Sequence, residues 1–268
     1  MLRKSILFLL VSCMVSVCWG LDIKGLNRKK DKTPDIDIVV WLRHEVSCLP
    51  NDVDGVKVFR PNTIGDDGRI SIDGSVELPA KKQSQGFIAA YIYACDNLGN
   101  ADRIEAVDYD AKCFSVYREI REGEYKDAVM YRFVTDYVFS DGKMSFSTYD
   151  INVEYREKGI LPRKINIEKF KPATNESHRE LSEGLSLANS ILIDDMAGAA
   201  IKAKPADVTH WTDIKAGKIV KGMNETEVRL ISGAPRSVSP LGESMQWMYT
   251  NDFIIIFTDG IVSNVIQD

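Results

Sequence analysis

The sequence predicts an α+β protein, an antiparallel sheet with helices packed on one face, followed by a small C-terminal block of one helix and a three-stranded antiparallel sheet. Three observations predict it. Strand patterns and amphipathic helix patterns follow one another as strands, helix, antiparallel strands, helix, rather than alternating one by one. Residues 130–139 place Tyr131, Phe133, Tyr137 and Phe139 on alternate positions, and Asp141-Gly142 turns the chain behind them. Near the C-terminus a short capped helix precedes strands that end in a second Asp-Gly turn. With 268 residues, 44% hydrophobic and 27% charged, the composition is that of an ordinary globular protein.

Residues 1–20 read as a signal peptide. Arg3 and Lys4 precede an apolar run over residues 6–17, and Cys18 and Gly20 fit a peptidase site before Leu21. The run is too short to span a bilayer. Leu10-Val11-Ser12-Cys13 offers a lipobox in which Cys13 would carry a lipid anchor, against which stands the short apolar stretch before it. Residues 21–34 form a flexible basic leader, with membrane-surface contact as its sharper reading. Residues 35–204 follow as the first α+β domain. Its expected strands are residues 36–42, 56–59 and 70–78, the last ended by Pro79. A helix follows, with Ser84 as a cap and Ile88, Tyr91, Cys95 and Leu98 on one face. Strands over residues 111–120 and 130–139 come next. The return strand from Met144 toward Tyr155 changes apolar phase between Phe146 and Tyr149, which predicts a bulge. Residues 165–170 add an edge strand. The second helix is capped by Thr174 or Asn175 and carries the stripe Leu181, Leu185, Ala188, Leu192, Met196.

Residues 205–268 form a linker and a second block. Asn224 is placed to cap a helix over residues 225–232, and Glu227 completes a capping-box pair. Val228 and Ile231 face inward, Gly233 ends the helix and Pro235 prevents its continuation. Strands follow near Val238 and over residues 245–249, 253–257 and 261–266, the last two joined by Asp259-Gly260.

Two resemblances stand on these residues. Asp67-Gly68-Arg69-Ile70 and the hairpin Phe139-Ser140-Asp141-Gly142-Lys143, in this order and spacing, resemble a domain of unknown function from secreted proteins of gut-type Gram-negative bacteria. That resemblance covers about residues 68–200 and implies a TATA-binding-protein-like fold with no established activity. Gly222-Met223, Glu227-Val228, Gly233-Ala234-Pro235, Trp247-Met248-Tyr249 and Phe257-Thr258-Asp259-Gly260-Ile261-Val262 resemble the SmpA/OmlA (BamE-type) envelope domain. That resemblance implies a helix with a three-stranded sheet, in proteins that bind protein in bacterial envelopes and catalyse nothing.

The net charge is −5, and residues 21–268 carry 32 basic against 39 acidic side chains, a poor balance for neutralising nucleic-acid phosphates. The sequence holds no Gly-rich phosphate loop, no His-Glu-x-x-His, no Cys-x-x-Cys and no calcium-loop spacing, so no catalytic, cofactor-binding or metal residues are assigned. Gly184-Leu185-Ser186-Leu187-Ala188 lies inside a helix rather than at a strand-to-helix elbow. Cleavage leaves Cys48, Cys95 and Cys113, of which Cys95 falls on an apolar helix face and is expected as a buried thiol. His44 and Cys48, four apart, would form a thiol–imidazole pair only on a helix, and Pro50 and strand-like flanks oppose that. His178 and Glu180 are expected in solvent, Trp211 beside His210 is expected to pack on the C-terminal block, and Asp194 with Asp195 reads as a polar face. Asn175-Glu176-Ser177 and Asn224-Glu225-Thr226 match a glycosylation sequon, but both sit where a helix needs a cap. The aromatics Tyr131, Phe133, Tyr137, Phe139, Tyr149 and Tyr155 are expected mostly in the core.

The reading that follows is an exported, non-enzymatic cell-envelope protein, periplasmic or outer-membrane-associated, that binds another protein. Its alternatives are a binder of a small lipid or cell-wall fragment in a cleft between the blocks, and a hydrolase using Cys48 and His44.

Overall fold

The computed structural model describes residues 49–79, 82–123, 128–156, 162–172, 175–202, 207–250 and 253–267. The signal, the leader, the strand expected over residues 36–42, the His44–Cys48 pair, Thr174 and the junction at residue 205 lie outside them. The chain divides into two compact units. The first contains residues up to Gly74, Tyr117–Thr135 and Phe146–Asp194, and the second Ser75–Val116, Asp136–Ser145 and Asp195–Asp268.

The protein is of the α+β class. Two short strands, β1 (Asp52–Val53) and β2 (Val56–Lys57), pair with each other. A seven-stranded sheet contains β3 (Thr63–Ile64), β4 (Ile70–Glu77), β5 (Arg103–Asp108), β6 (Cys113–Glu122), β7 (Val129–Ser140), β8 (Lys143–Tyr155) and β9 (Arg163–Asn166). Its order is β3-β4-β8-β7-β6-β5, with β9 also on β8. The helices are α1 (Gln83–Asp96), α2 (Glu176–Lys202), α3 (Trp211–Lys215) and α4 (Glu225–Ser232). The C-terminal strands β10 (Ser237–Leu241), β11 (Ser244–Thr250), β12 (Phe253–Thr258) and β13 (Ile261–Gln267) form an antiparallel meander. It therefore has four strands where the resemblance implied three, because β10 pairs with β11 although every β10 residue is exposed.

The expected bulge in β8 falls at Asp150, which takes a φ of 53°. Burial follows Met144, Phe146 and Thr148 before it and Ile151, Val153 and Tyr155 after it. The partner changes there too. The Leu78 amide donates to the Gly142 carbonyl at 2.8 Å and Arg69 reaches Asp150 at 2.9 Å, so β4 runs antiparallel along the first part of β8. The last part, Asn152–Tyr155, pairs with β9. The phase change puts Thr148 rather than Tyr149 in the core, so Tyr149 leaves the expected aromatic core and is only half-buried. Thr148 is accommodated by a 2.9 Å bond with Thr135 and a 3.2 Å bond to the Asn189 carbonyl oxygen.

In the first unit α2 is buried on every side from Gly184 through Ser190. Leu181, Leu185, Ala188 and Met196 of the expected stripe are buried, whereas Leu192 is half-buried and Leu187 and Ile193 join the core. The serines among them are satisfied locally. Ser186 and Ser190 donate to carbonyls one turn back at 2.8 and 2.6 Å, and the Phe59 amide donates to the Ser190 hydroxyl at 2.8 Å. At Gly184 the helix comes so close to β7 that a Cβ would lie 2.4 Å from the Tyr131 hydroxyl oxygen. The α2 cap is Asn175, whose side chain accepts from the His178 amide at 3.2 Å.

In the second unit α1 does not use Ser84 as its cap. The helix begins at Gln83, and its first amide donates to Asp141 of the β7–β8 turn at 2.8 Å, so a carboxylate from another element serves the helix end. Its buried face centres on Phe87, Ala90, Tyr91 and Ala94. Phe87 stands within 6.1 Å of Phe114 and Phe139, ring centre to ring centre. The α4 helix has Asn224 as its cap with a complete capping box. Val228 and Leu230 are buried there, and Ile231, expected inward, is only half-buried. Gly233 ends α4 with φ 67° and ψ −153°, a conformation open essentially to glycine alone.

Two stability outcomes follow. Gly184→Ala should lower urea-unfolding stability by roughly 1–3 kcal/mol, because the added methyl meets the Tyr131 hydroxyl. Most of that loss should vanish in a Tyr131→Phe background, and equal losses in both backgrounds would show that the hydroxyl does not limit the helix approach. Gly233→Val should cost about 1–3 kcal/mol in thermal unfolding. An unchanged melting temperature would show that α4 does not need this backbone conformation.

Candidate functional site

The side chains singled out in the sequence fall into separate places. Cys95 is half-buried, and burial pushes its thiol up to about 11, which makes it a poor nucleophile. Cys113 is also free and half-buried, its thiol likewise raised by burial. His178, expected in solvent, is buried instead. The chain over residues 167–171 folds back over it, so its ring stacks on Phe170 at 5.0 Å and Nδ1 accepts from the Lys171 amide at 3.0 Å. Its Nε2 lies 3.3 Å from the Tyr155 hydroxyl. Glu180 and Asp194 are exposed. Trp211 packs beside the β5–β6 turn, 6.3 Å from Tyr109, with the Lys112 ammonium 3.9 Å from its ring centre.

His210, placed by the sequence only in a linker, is joined to Glu227. The Glu227 carboxylate is 1% exposed. It accepts from the amides of Thr209 at 2.6 Å, His210 at 2.9 Å and Asn224 at 2.9 Å, and the His210 Nδ1 lies 3.0 Å away. Burial by itself would raise its pKa. The amides of His210, Asn224 and Thr209 outweigh burial and hold the carboxyl below the usual carboxylate range. A carboxylate-oriented imidazole is also the frame of a general base. Here, among the described residues, no hydroxyl or thiol is bonded to Nε2, and the neighbouring hydroxyl, from Thr209, sits on the Nδ1 side at 3.1 Å. The cluster is a clasp that holds residues 209–210 onto α4.

The same unit is tied further by contacts that no local pattern announces. The Tyr109 hydroxyl donates to the Leu230 carbonyl at 2.6 Å, Arg229 pairs with Asp96, and Lys215 pairs with Asp110. These fix α3 and α4 against α1 and the β5–β6 turn, which presents the C-terminal sheet as a fixed surface.

That surface is the candidate site. Cross-strand pairs sort the sheet into two faces. One carries Trp247, Ile255, Phe257 and Val262, all buried, together with the exposed Val238 and Met245. The other carries Leu241, Met248, Ile254, Ile256, Ile261 and Ile266, with Ser239, Ser244, Gln246, Thr258 and Asn264 among them. Leu241, Ile261 and Ile266 are 49%, 42% and 40% exposed. No residue of β10, β11, β12 or β13 is charged, in a chain that is 27% charged. Edge strands are commonly guarded by lysines, and here Pro240 in β10 is the visible guard. The lack of charge along these strands is a property of their sequence that no motif or periodicity rule marks. That signal was present in the letters.

In the first unit Glu122 is held between the Tyr131 hydroxyl and α2 at Gly184. Burial pushes its carboxyl up to about 7, against the opposing bond from Tyr131.

Fold and surface together define an α+β protein with a helix-backed antiparallel sheet and a C-terminal four-stranded sheet that has one uncharged open face. No protein-family model matches the chain, and no curated protein matches it. Among solved structures it is similar to a TBP-like protein from Parabacteroides distasonis, at TM-score 0.44 and 14% identity, over 52% of this chain and 97% of that one. It is also similar to a DUF4468 family protein from Bacteroides ovatus, at TM-score 0.39 and 14% identity, over 54% of this chain and 92% of that one. The α+β class itself stands on the strand order and pairing described above.

The Glu122 carboxyl carries a pH signature. Its folded pKa lies above its unfolded one, so the native state holds an extra proton between about 4.5 and about 7. Its contribution is complete below that window and is lost as pH rises through about 7. Between about pH 5 and 8 the wild type should lose on the order of 1–3 kcal/mol that Glu122→Gln retains, measured by urea unfolding. Parallel pH profiles for the two proteins would show that Glu122 ionises freely in the folded state.

Proposed function

We propose that this chain is an exported bacterial cell-envelope protein that works without catalysis, as a protein–protein interaction module in outer-membrane maintenance. Its contact surface is the open face of the C-terminal sheet. The observation that carries the reading is the apolar, charge-free row Leu241, Met248, Ile254, Ile256, Ile266 on a rigidly anchored sheet. Of the seven large hydrophobic side chains exposed among the described residues, three, Leu241, Ile261 and Ile266, stand on this face, and Val238 and Met245 stand on the opposite face of the same sheet. Exposed apolar surface gathered on one element marks an interaction site. A charge-free face selects a partner whose own surface is neutral and apolar, because burying an unpaired charge against it would be costly. Export is supported by Arg3, Lys4 and the apolar run behind them, and an envelope role by the SmpA/OmlA-like pieces, which cover this same block. Among the described residues no helix is long and apolar enough to cross a membrane.

A photo-crosslinking amino acid placed at Leu241 or at Ile266, in intact cells, should capture one and the same protein. The same group at the exposed Asp67 should not. The purified partner should bind the wild-type chain and lose at least about tenfold in affinity for Ile254→Lys. Absence of any adduct above the Asp67 control at both sheet positions would remove the sheet face as the contact surface.

A further inference from the structure

We propose that the first unit contains a second, separate site, a small cavity that binds an amphipathic anion: a phosphate or carboxylate head on a short apolar stem. The cavity has a volume of about 180 Å³ and opens where the ends of β6, β7 and β8 meet the chain before β9. Two guanidinium groups line it, Arg121 from β6 and Arg156 just past β8. Neither has a hydrogen bond or ion pair with any described residue. Among the described residues that line the cavity, the one carboxylate, Glu154, is already engaged. Arg132 holds it at 2.8 Å and holds Glu119 at 2.7 Å on its other side. Among the described residues, Arg121, Arg132 and Arg156 against Glu119 and Glu154 carry one net positive charge, in a chain of net charge −5.

Arginines with no partner among the described residues, beside a cavity, are suited to an anionic head, because each planar guanidinium can give two parallel N–H bonds to phosphate or carboxylate oxygens. The rest of the lining is Ala128, Met130, Pro162 and the Tyr155 side chain. Three of these are apolar throughout. Met adapts to the shape of an apolar guest. The volume equals about six water molecules of liquid, which admits a headgroup with a few carbons and excludes a whole lipid tail. A long-chain guest would therefore be held by its head and first carbons. This site lies in a different unit from the sheet face, and its existence does not depend on the interaction reading.

The probe is octyl phosphate, followed by calorimetry and by amide chemical shifts on the full mature chain, with inorganic phosphate and octanol as the two halves of the ligand. Saturable binding should shift the amides of residues 121, 130 and 154–156. Arg121→Gln and Arg156→Gln, both at exposed positions, should each weaken it by about tenfold with unchanged circular dichroism. Inorganic phosphate and octanol should each bind more weakly than octyl phosphate. Sedimentation with vesicles of phosphatidylglycerol, compared with phosphatidylcholine, separates the sources of the head. Arginine-dependent binding to phosphatidylglycerol vesicles identifies a membrane lipid, and arginine-dependent binding of octyl phosphate without vesicle binding identifies a free amphiphile. No saturable binding of octyl phosphate, or binding that the double Arg121→Gln, Arg156→Gln variant retains, overturns the proposal. So does inorganic phosphate binding as tightly as octyl phosphate, since the apolar wall would then contribute nothing.

Discussion

The close approach of α2 to β7 governs the first unit. At Gly184 the helix backbone and the Tyr131 hydroxyl occupy neighbouring space that leaves no room for a methyl group. Once the helix sits that low, its whole circumference from Gly184 to Ser190 is removed from water, so polar residues on it must be satisfied internally. Serines meet that demand because their hydroxyls reach the carbonyl one turn back. Thr135, Thr148 and Asn189 meet it across the interface. The same depth partly shields Glu122 from solvent and shifts its ionisation toward neutrality. One missing side chain thus sets the helix height, the chemistry of the interface and the titration of a carboxyl group.

In the second unit a comparable part falls to the Glu227 carboxylate. A capping-box glutamate ordinarily returns one bond to its own helix cap. Here its remaining lone pairs also receive two amides and an imidazole from residues 209–210. A buried charge is expensive unless several donors converge on it, and that convergence is what holds this carboxyl ionised. The segment leading into α3 is thereby stitched to α4, and Tyr109, Arg229 and Lys215 complete the attachment with bonds to Leu230, Asp96 and Asp110. The sheet that follows is carried on this anchored base.

The two candidate sites differ in chemistry. The C-terminal sheet face excludes charge and offers area, which suits a macromolecular surface. The cavity in the first unit is small, and its two arginines have no partner among the described residues, which suits a compact anion. The two surfaces would differ in salt dependence. Electrostatic capture by Arg121 and Arg156 weakens as salt rises, whereas apolar contact on the sheet does not.

Patterns confined to a few residues were legible in the sequence. Alternation in residues 130–139, the capping box of Asn224 and Glu227, the asparagine cap of α2, the Asp-Gly turns and the bulge in β8 all follow from rules that act over one to five residues. The α+β class followed from the order of those elements. The faults arose where a distant segment supplies the partner. Ser84 was expected as a cap, and Asp141 provides the acceptor instead. His178 was expected in water, and Phe170 and Lys171 fold over it. Tyr149 was expected in the core, and the position of the bulge gave that place to Thr148. Arg121 and Arg156 carried no signal at all, because an arginine reads alike whether paired or unpaired until the chain folds. Local sequence determined which residues could form helices, strands, turns and caps, since those preferences are set by each residue's own backbone and near neighbours. Tertiary structure alone decided which polar groups are buried, which are paired and which stand open to a ligand, because burial and pairing depend on segments brought together from far along the chain.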